Sequence, residues 1–208
     1  WMVNPNGPRT LINYMRDRMM PSVHDTLWNR FGVENIYYGV FVDPLAMDKG
    51  WIYDASEPRY MVNYTGLRNR LAILNENYVY ADFKIRVTGC YHLLVSILEY
   101  ASEHRQEIKE MVSETDHWYT NRHINLAEAD SFAIEYDIQH VPEKISIKAI
   151  ETDTIPGVSG YWRYRQGPGR FTVHIDYYAD YYPARSVKVP FAYLLSVPDP
   201  DILNLLRA

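Results

Sequence analysis

Apolar positions in the first part of the chain recur at helical spacing. Leu11, Ile12, Met15 and Met19, followed by Val23, Leu27 and Phe31, fall on one face of a 3.6-residue period and predict a helix from about residue 9 to 31. Asn6-Gly7-Pro8 opens it, because a proline suits the first helical position, where its missing N–H would have no intrahelical partner anyway. Gly32 closes it. Pro21 sits inside the pattern and predicts a kink or restart, since it lacks an N–H and its ring clashes with the preceding turn.

The period then changes. NIYYGVFV, Asn35 to Val42, is β-branched and aromatic and reads as a strand. Residues 43–66, with Pro44, Gly50, Pro58 and Gly66, predict a long polar loop of the kind that usually carries function. Leu71, Ala72, Ile73 and Leu74 form a short continuous apolar run, as expected of a strand buried on both faces, and that strand delivers one carboxylate, Glu76, at its end. From about Ile85 to Val112 a long amphipathic helix is predicted, with Val87, Tyr91, Leu94, Leu98, Ala101, Ile108 and Met111 or Val112 on its apolar stripe.

Beyond about Ser113 the texture shifts again. TDHWYTNRHINLAEAD is polar and unassigned, after which FAIEYDIQHV, KISIKAIE, FTVHIDYYADYY and VKVPFAYLLSV read as strands at short intervals. Gly157, Gly160, Gly167-Pro168-Gly169 and Pro183 punctuate them, and a short helix from Pro198 to Arg207 ends the chain. The expectation is an α/β fold in two portions. Residues 1–113 hold part of a mixed sheet flanked by helices, and residues 114–208 an antiparallel β-rich portion.

Composition narrows the function classes. A net charge of -5 offers no basic field for nucleic acid or an anionic membrane surface. No apolar run approaches the roughly 18 residues needed to span a bilayer. A single cysteine, Cys90, excludes an internal disulfide and reads as a small buried hydrophobe on a helix face. Tyrosine is the outlier, 19 residues against 6 phenylalanines, which suits half-buried strands or a sugar- or peptide-binding surface. The opening WMVNPNGPRT reads as a loop entered from preceding structure, so a fragment of a longer protein is expected.

The candidate chemistry centres on Glu76. A carboxylate at the end of a buried strand is costly unless it has an ionic partner, a metal-bound water or a catalytic task. Arg68 and Arg70 are the near candidates for a structural ion pair. His104-Arg105-Gln106-Glu107 is a literal His-x-x-Glu, whose spacing puts both side chains on one helix face. Glu107 nevertheless lies between Glu103 and Glu110, as on a solvated face, and no third histidine follows at ligand spacing, so no metal site is assigned. His117 and His123 sit in the unassigned polar stretch. No serine nucleophile elbow, phosphate loop or Cys-His pairing stands out.

Asn63-Tyr64-Thr65-Gly66-Leu67-Arg68-Asn69-Arg70, then LAILN, Glu76, NYVYADFK and a helix, resemble the last part of the catalytic domain of zinc metallocarboxypeptidases, the carboxypeptidase A family, in the form common among large bacterial members. NPNGPR near the start, Tyr37-Tyr38-Gly39 and the closing VKVPFAYLLSVPDPDILNLLR are similar to the same proteins. The resemblance implies that Glu76 is the general base toward a zinc-bound water. It implies a substrate-contacting tyrosine in the preceding loop, with Tyr53, Tyr60 and Tyr64 the possible residues and Tyr60 preferred. Arg68 and Arg70 would orient Glu76 or reach the substrate's terminal carboxylate. The family's zinc ligands precede this stretch, so zinc is expected in the intact parent and not in this chain. A peptide substrate and a periplasmic or secreted location follow from the resemblance alone.

Two other readings stand beside it. One is a non-catalytic glycan- or peptide-binding β module, with Tyr161-Trp162-Arg163-Tyr164-Arg165, Tyr177, Tyr178, Tyr181 and Tyr182 in one exposed aromatic stripe. The other is a degenerate, inactive relative.

Overall fold

The computed structural model describes residues 1–122, 131–160, 163–190, 194–196 and 199–207. Its architecture is mixed α/β: a four-stranded mixed sheet, a separate two-stranded antiparallel sheet, and helices.

The predicted first helix forms as α1 (Arg9–Tyr14) and α2 (Met20–Phe31), joined without a break by a π-helical turn, Met15–Met19. The wider turn falls immediately before Pro21, whose ring would otherwise meet the carbonyl of Asp17, so the kink is absorbed as a π-bulge. Gly32 ends α2 in the left-handed conformation at φ 63°. Leu11, Ile12, Met15, Met19, Val23 and Leu27 are all buried in one aliphatic core with Met2, Tyr14 and Tyr100. Each such side chain removed from water contributes about 1.5–3 kcal/mol.

The strand expected over Asn35–Val42 shrinks to β1, Val40–Phe41. The preceding backbone is satisfied by side chains instead of a ladder: Trp51 Nε1 donates to the Tyr37 carbonyl and the Tyr177 hydroxyl to the Tyr38 carbonyl, both at 2.9 Å. Within residues 43–66 lie a 3₁₀ turn (Met47–Lys49), β2 (Trp51–Ile52) and most of α3 (Met61–Leu67). The predicted strand Leu71–Leu74 does not form. Leu71, Ala72 and Ile73 are half-buried, irregular chain laid against the aliphatic core, which covers them on one side only.

The long helix predicted after residue 85 is two helices, α4 (Phe83–Glu103) and α5 (Arg105–Asn121), divided where His104 leaves helical geometry at φ −99°, ψ 17°. Its predicted core stripe holds in α5, where Ile108, Met111 and Val112 pack on the core, and is turned around in α4. Val87, Tyr91, Leu94 and Leu98 are more than half exposed, while Ser96 and Tyr100 are buried and Leu93 and Ile97 pack on the core. The helix is apolar on more than one side, so periodicity alone does not select the covered face.

β3 (Ser131–His140), β4 (Ile145–Thr154), β5 (Tyr164–Ile175) and β6 (Tyr177–Lys188) make up the β-rich portion, and α6 (Pro200–Arg207) follows. FTVHIDYYADYY is split at Asp176 between two sheets. β5 pairs with β4 in the two-stranded sheet, whereas β6 is central in the order β1-β2-β6-β3. β6 runs antiparallel to β3 and parallel to β2, with Trp51 opposite Tyr177. One sheet therefore draws strands from both sides of the expected boundary at residue 113, which falls inside α5. The later part of VKVPFAYLLSV lies partly outside the described residues.

A second core forms on this sheet from Val3, Tyr53, Ala55, Val141, Tyr177, Ala179 and Tyr181. Alternation along β6 sends Tyr177, Ala179 and Tyr181 inward and leaves Tyr182 38% exposed. The tyrosines expected in a single exposed stripe are thus divided between two faces, and Tyr161 and Trp162 lie outside the described residues. Among the described residues no helix is long and apolar enough to cross a membrane.

Candidate functional site

The segment carrying the resemblance is built around Asn63. This side chain on α3 is fully buried. Its Oδ1 accepts from the backbone N–H of Val3 at 2.8 Å and of Asn4 at 3.2 Å, and its Nδ2 donates to the Ala55 carbonyl at 2.6 Å. A Cβ at Gly66 would lie 2.7 Å from that of Met2, so only glycine lets the opening segment of the chain pass this close to α3. Asn63 and Gly66 are therefore scaffold, clamping the start of the chain and residue 55 to α3. Asn4 continues the network by donating to the Ser56 carbonyl at 2.8 Å, and Asn6 exchanges hydrogen bonds with the backbone of Ala133 on β3.

Glu76 stands on the irregular segment between α3 and α4, exposed to solvent. Among the described residues it makes no hydrogen bond or ion pair. The expected structural partner is committed elsewhere: Arg70 reaches Asp116 on α5 at 2.9 Å and donates to the carbonyls of Arg68 and Asn69. That pairing raises the Arg70 guanidinium and, with a bond from Asn69, holds the Asp116 carboxyl below the usual carboxylate range. Arg68 and Tyr64 are exposed and do not bond to Glu76. Tyr60 is held by Arg59, whose guanidinium lies 5.0 Å from the ring centroid and donates to the Tyr60 hydroxyl at 3.1 Å.

Electrostatics gather a group that motif reading did not assemble. Loss of hydration raises the Tyr38 hydroxyl above its ordinary range, and the charges of Glu76 and Asp54 and the nearby Tyr60 push it further the same way. Burial likewise lifts Tyr53 to about 12, helped by Tyr38, Tyr181, Tyr60 and Asp54. The Tyr38 and Tyr53 rings meet edge to face at 5.4 Å. Glu76, Asp54 and Tyr60 thus each act electrostatically on Tyr38. The backbone at Tyr38 and Tyr53 is anchored by the sheet, through Tyr177 to the Tyr38 carbonyl and Tyr181 to the Tyr53 carbonyl at 2.8 Å. The sequence signal for Tyr38 was its place in Tyr37-Tyr38-Gly39; nothing local marked Asp54.

An exposed carboxylate without an ionic partner can take a proton from a bound nucleophile or hold a cationic or hydroxylated ligand. It does not make a metal centre. Among the described residues no group of three or more histidine, cysteine, aspartate or glutamate side chains is placed to hold an ion. His104 and Glu107 do approach, at 3.4 Å, but Glu107 is also bonded to Arg18 from the π-helical turn. His117 lies on α5 against Asn121, and His123 lies outside the described residues.

Comparison of the chain with known families, with curated proteins and with solved structures gives no match in any of the three.

Proposed function

We propose that this chain is the C-terminal part of a zinc metallocarboxypeptidase-like hydrolase that cleaves peptide bonds near a substrate's C-terminus, with Glu76 as its general base. The observation that carries the reading is the state of Glu76: an exposed carboxylate with no partner among the described residues, in the segment that bears the resemblance, with its charge felt by the Tyr38 hydroxyl. A carboxylate free of ionic partners keeps its lone pairs available for a proton, as a general base requires. Tyr60, the tyrosine preferred by the resemblance, and Tyr38 would supply hydroxyl groups to bind and orient a substrate. Zinc, in this reading, is held by residues of the intact parent and supplies the polarisation of the attacking water. The residues described here do not themselves fit a metal.

Arg70 takes a further part in this reading. Bound to Asp116, it fixes the α3–α4 segment to α5, which makes it a positioning residue for the stretch leading to Glu76.

The test is Glu76→Gln in the full-length polypeptide, assayed on peptides with free C-termini alongside metal analysis. The expected result is hydrolysis lowered by at least about a thousandfold, a loss on the scale of removing a central proton-transfer group, with zinc content unchanged. Hydrolysis retained in the variant sinks the assignment of Glu76.

A further inference from the structure

The two-stranded sheet leaves one edge of β4 open. β4 pairs with β5 alone, and no hydrogen bond joins the other side of Ile145–Ile150 to any described residue. A register shift after Ile150 ends this regular stretch. Such an edge presents backbone N–H and C=O groups in alternation, which another extended backbone matches in full. The first residues of the edge also line a cavity. Ile145 and Ser146 face a space of about 530 Å³, bounded further by the π-helical turn, residues 35–37, the β3–β4 turn and the start of β6. That volume is within the range of small-ligand sites. Asn35 and Ile36, in irregular chain, form another wall, and Lys148 of β4 bonds to the neighbouring Glu34 at 2.6 Å, which holds this segment alongside the strand. The start of β6 is closed to a ligand's backbone, because β2 pairs with it and the Tyr177 carbonyl accepts from the Val141 N–H at 2.8 Å. The open ladder at this cavity is therefore that of β4.

The side chains of the lining select among peptides. Arg16 and Asp17 are locked to each other at 2.5 and 2.8 Å, and Lys144 reaches Asp176 at 3.4 Å. Burial lowers the α-amino group of Trp1 to about 6, which leaves it mostly uncharged at neutral pH. Glu143 remains, exposed and without an ion pair among the described residues. The balance is negative and favours a basic side chain over an acidic one. Trp1 lies edge to face against Tyr37 at 5.1 Å and against Tyr177 at 5.9 Å, and these rings give apolar wall to a neighbouring side chain.

We propose that β4 takes an added strand: an extended peptide pairs with Ile145–Ile150, sets an apolar side chain against the rings of Trp1, Tyr37 and Tyr177, and brings a basic one to Glu143. The site does not involve Glu76 and does not rest on the peptidase reading.

The probe is the blocked tetrapeptide acetyl-Val-Lys-Val-Tyr-amide, which offers no terminal carboxylate to the Glu76 site, added at millimolar concentration to the ¹⁵N-labelled 208-residue chain. It should shift the amide signals of Ile145–Ile150 and slow hydrogen exchange of the amides on the open edge at least about tenfold. Of two versions N-methylated at alternate residues, one should lose binding and the other keep it, because a strand turns every second N–H toward its neighbour. Replacing the peptide's lysine by glutamate should weaken binding about threefold, the scale of one exposed ion pair, and Glu143→Lys should reverse that order. The proposal is overturned if the peptide leaves Ile145–Ile150 unshifted, or if both N-methylated versions bind as well as the parent peptide. It is also overturned if the lysine and glutamate peptides keep the same order in Glu143→Lys.

Discussion

The two cores of this molecule solve burial differently. Around α1, the π-helical turn and α2 the interior, apart from Tyr14 and Tyr100, which hydrogen-bond to each other at 3.3 Å, is aliphatic and thioether: Leu11, Ile12, Met15, Met19, Val23 and Leu27. Such side chains need only to be covered, and their contribution is nearly proportional to area. On the mixed sheet the interior is phenolic, and each ring brings a hydroxyl that must be matched. Tyr177 and Tyr181 meet that demand by donating to the backbone carbonyls of Tyr38 and Tyr53. The helical core therefore supplies bulk stability, and the sheet core supplies position. Consecutive residues at the start of the chain serve both, Met2 in the first and Val3 in the second, with Asn63 holding the backbone between them.

The largest effect is expected where the cores join. Asn63→Ala leaves the N–H groups of Val3 and Asn4 and the Ala55 carbonyl buried without their partner, each costing ~1–3 kcal/mol, for a total of about 4 kcal/mol. Far-UV circular dichroism of the helices and tyrosine signals of the sheet should melt together in the parent chain and separate in the variant. Coincident melting in the variant means that the cores are coupled by something other than this asparagine. Leu11→Ala, wholly inside the aliphatic core, is expected to cost about 3 kcal/mol through lost burial and a residual cavity. It should lower Tm without shifting the NMR signals of the Tyr177 and Tyr181 rings in the sheet core, and a shift there would contradict the division of labour.

The smallest effect is the most specific to the phenolic core. Tyr37 and Tyr53 are raised to about 12 and Tyr177 higher still, in each case chiefly because burial disfavours the phenolate. An unfolded tyrosine ionises near 10. Between about pH 10 and 12 the unfolded chain therefore holds fewer protons than the folded one, and stability falls as pH rises. Tyr177→Phe should cost about 1 kcal/mol at neutral pH by removing the bond to the Tyr38 carbonyl. It should also make the alkaline loss shallower. Urea titrations at pH 8, 10 and 11 check both, and an unchanged alkaline slope removes Tyr177 from the set of controlling groups.

Much of this was legible locally. The apolar spacing of Leu11 through Phe31 and the proline at its start suffice for α1 and α2, and the alternating β-branched residues of β3 and β4 announce strands. Even the disturbance at Pro21 is a local steric fact. The candidate site was legible only as a set of residues: Arg70 goes to Asp116, whose position 46 residues further along no local pattern reveals. Leu71–Leu74 looked like a strand because four apolar residues in a row fit a doubly covered ladder equally well as a one-sided apron on a helical core.

What the sequence by itself determined is the period of each element and where it stops, because helix and turn preferences depend on residues a few positions apart. Tertiary structure alone decided which face of α4 is covered, that FTVHIDYYADYY divides between two sheets, and that Tyr177 and Tyr181 reach back 139 and 128 residues to hold the backbone at Tyr38 and Tyr53. Those outcomes turn on pairing between distant segments, where many partners share the same local pattern and only the simultaneous burial of rings and satisfaction of their hydroxyls selects one.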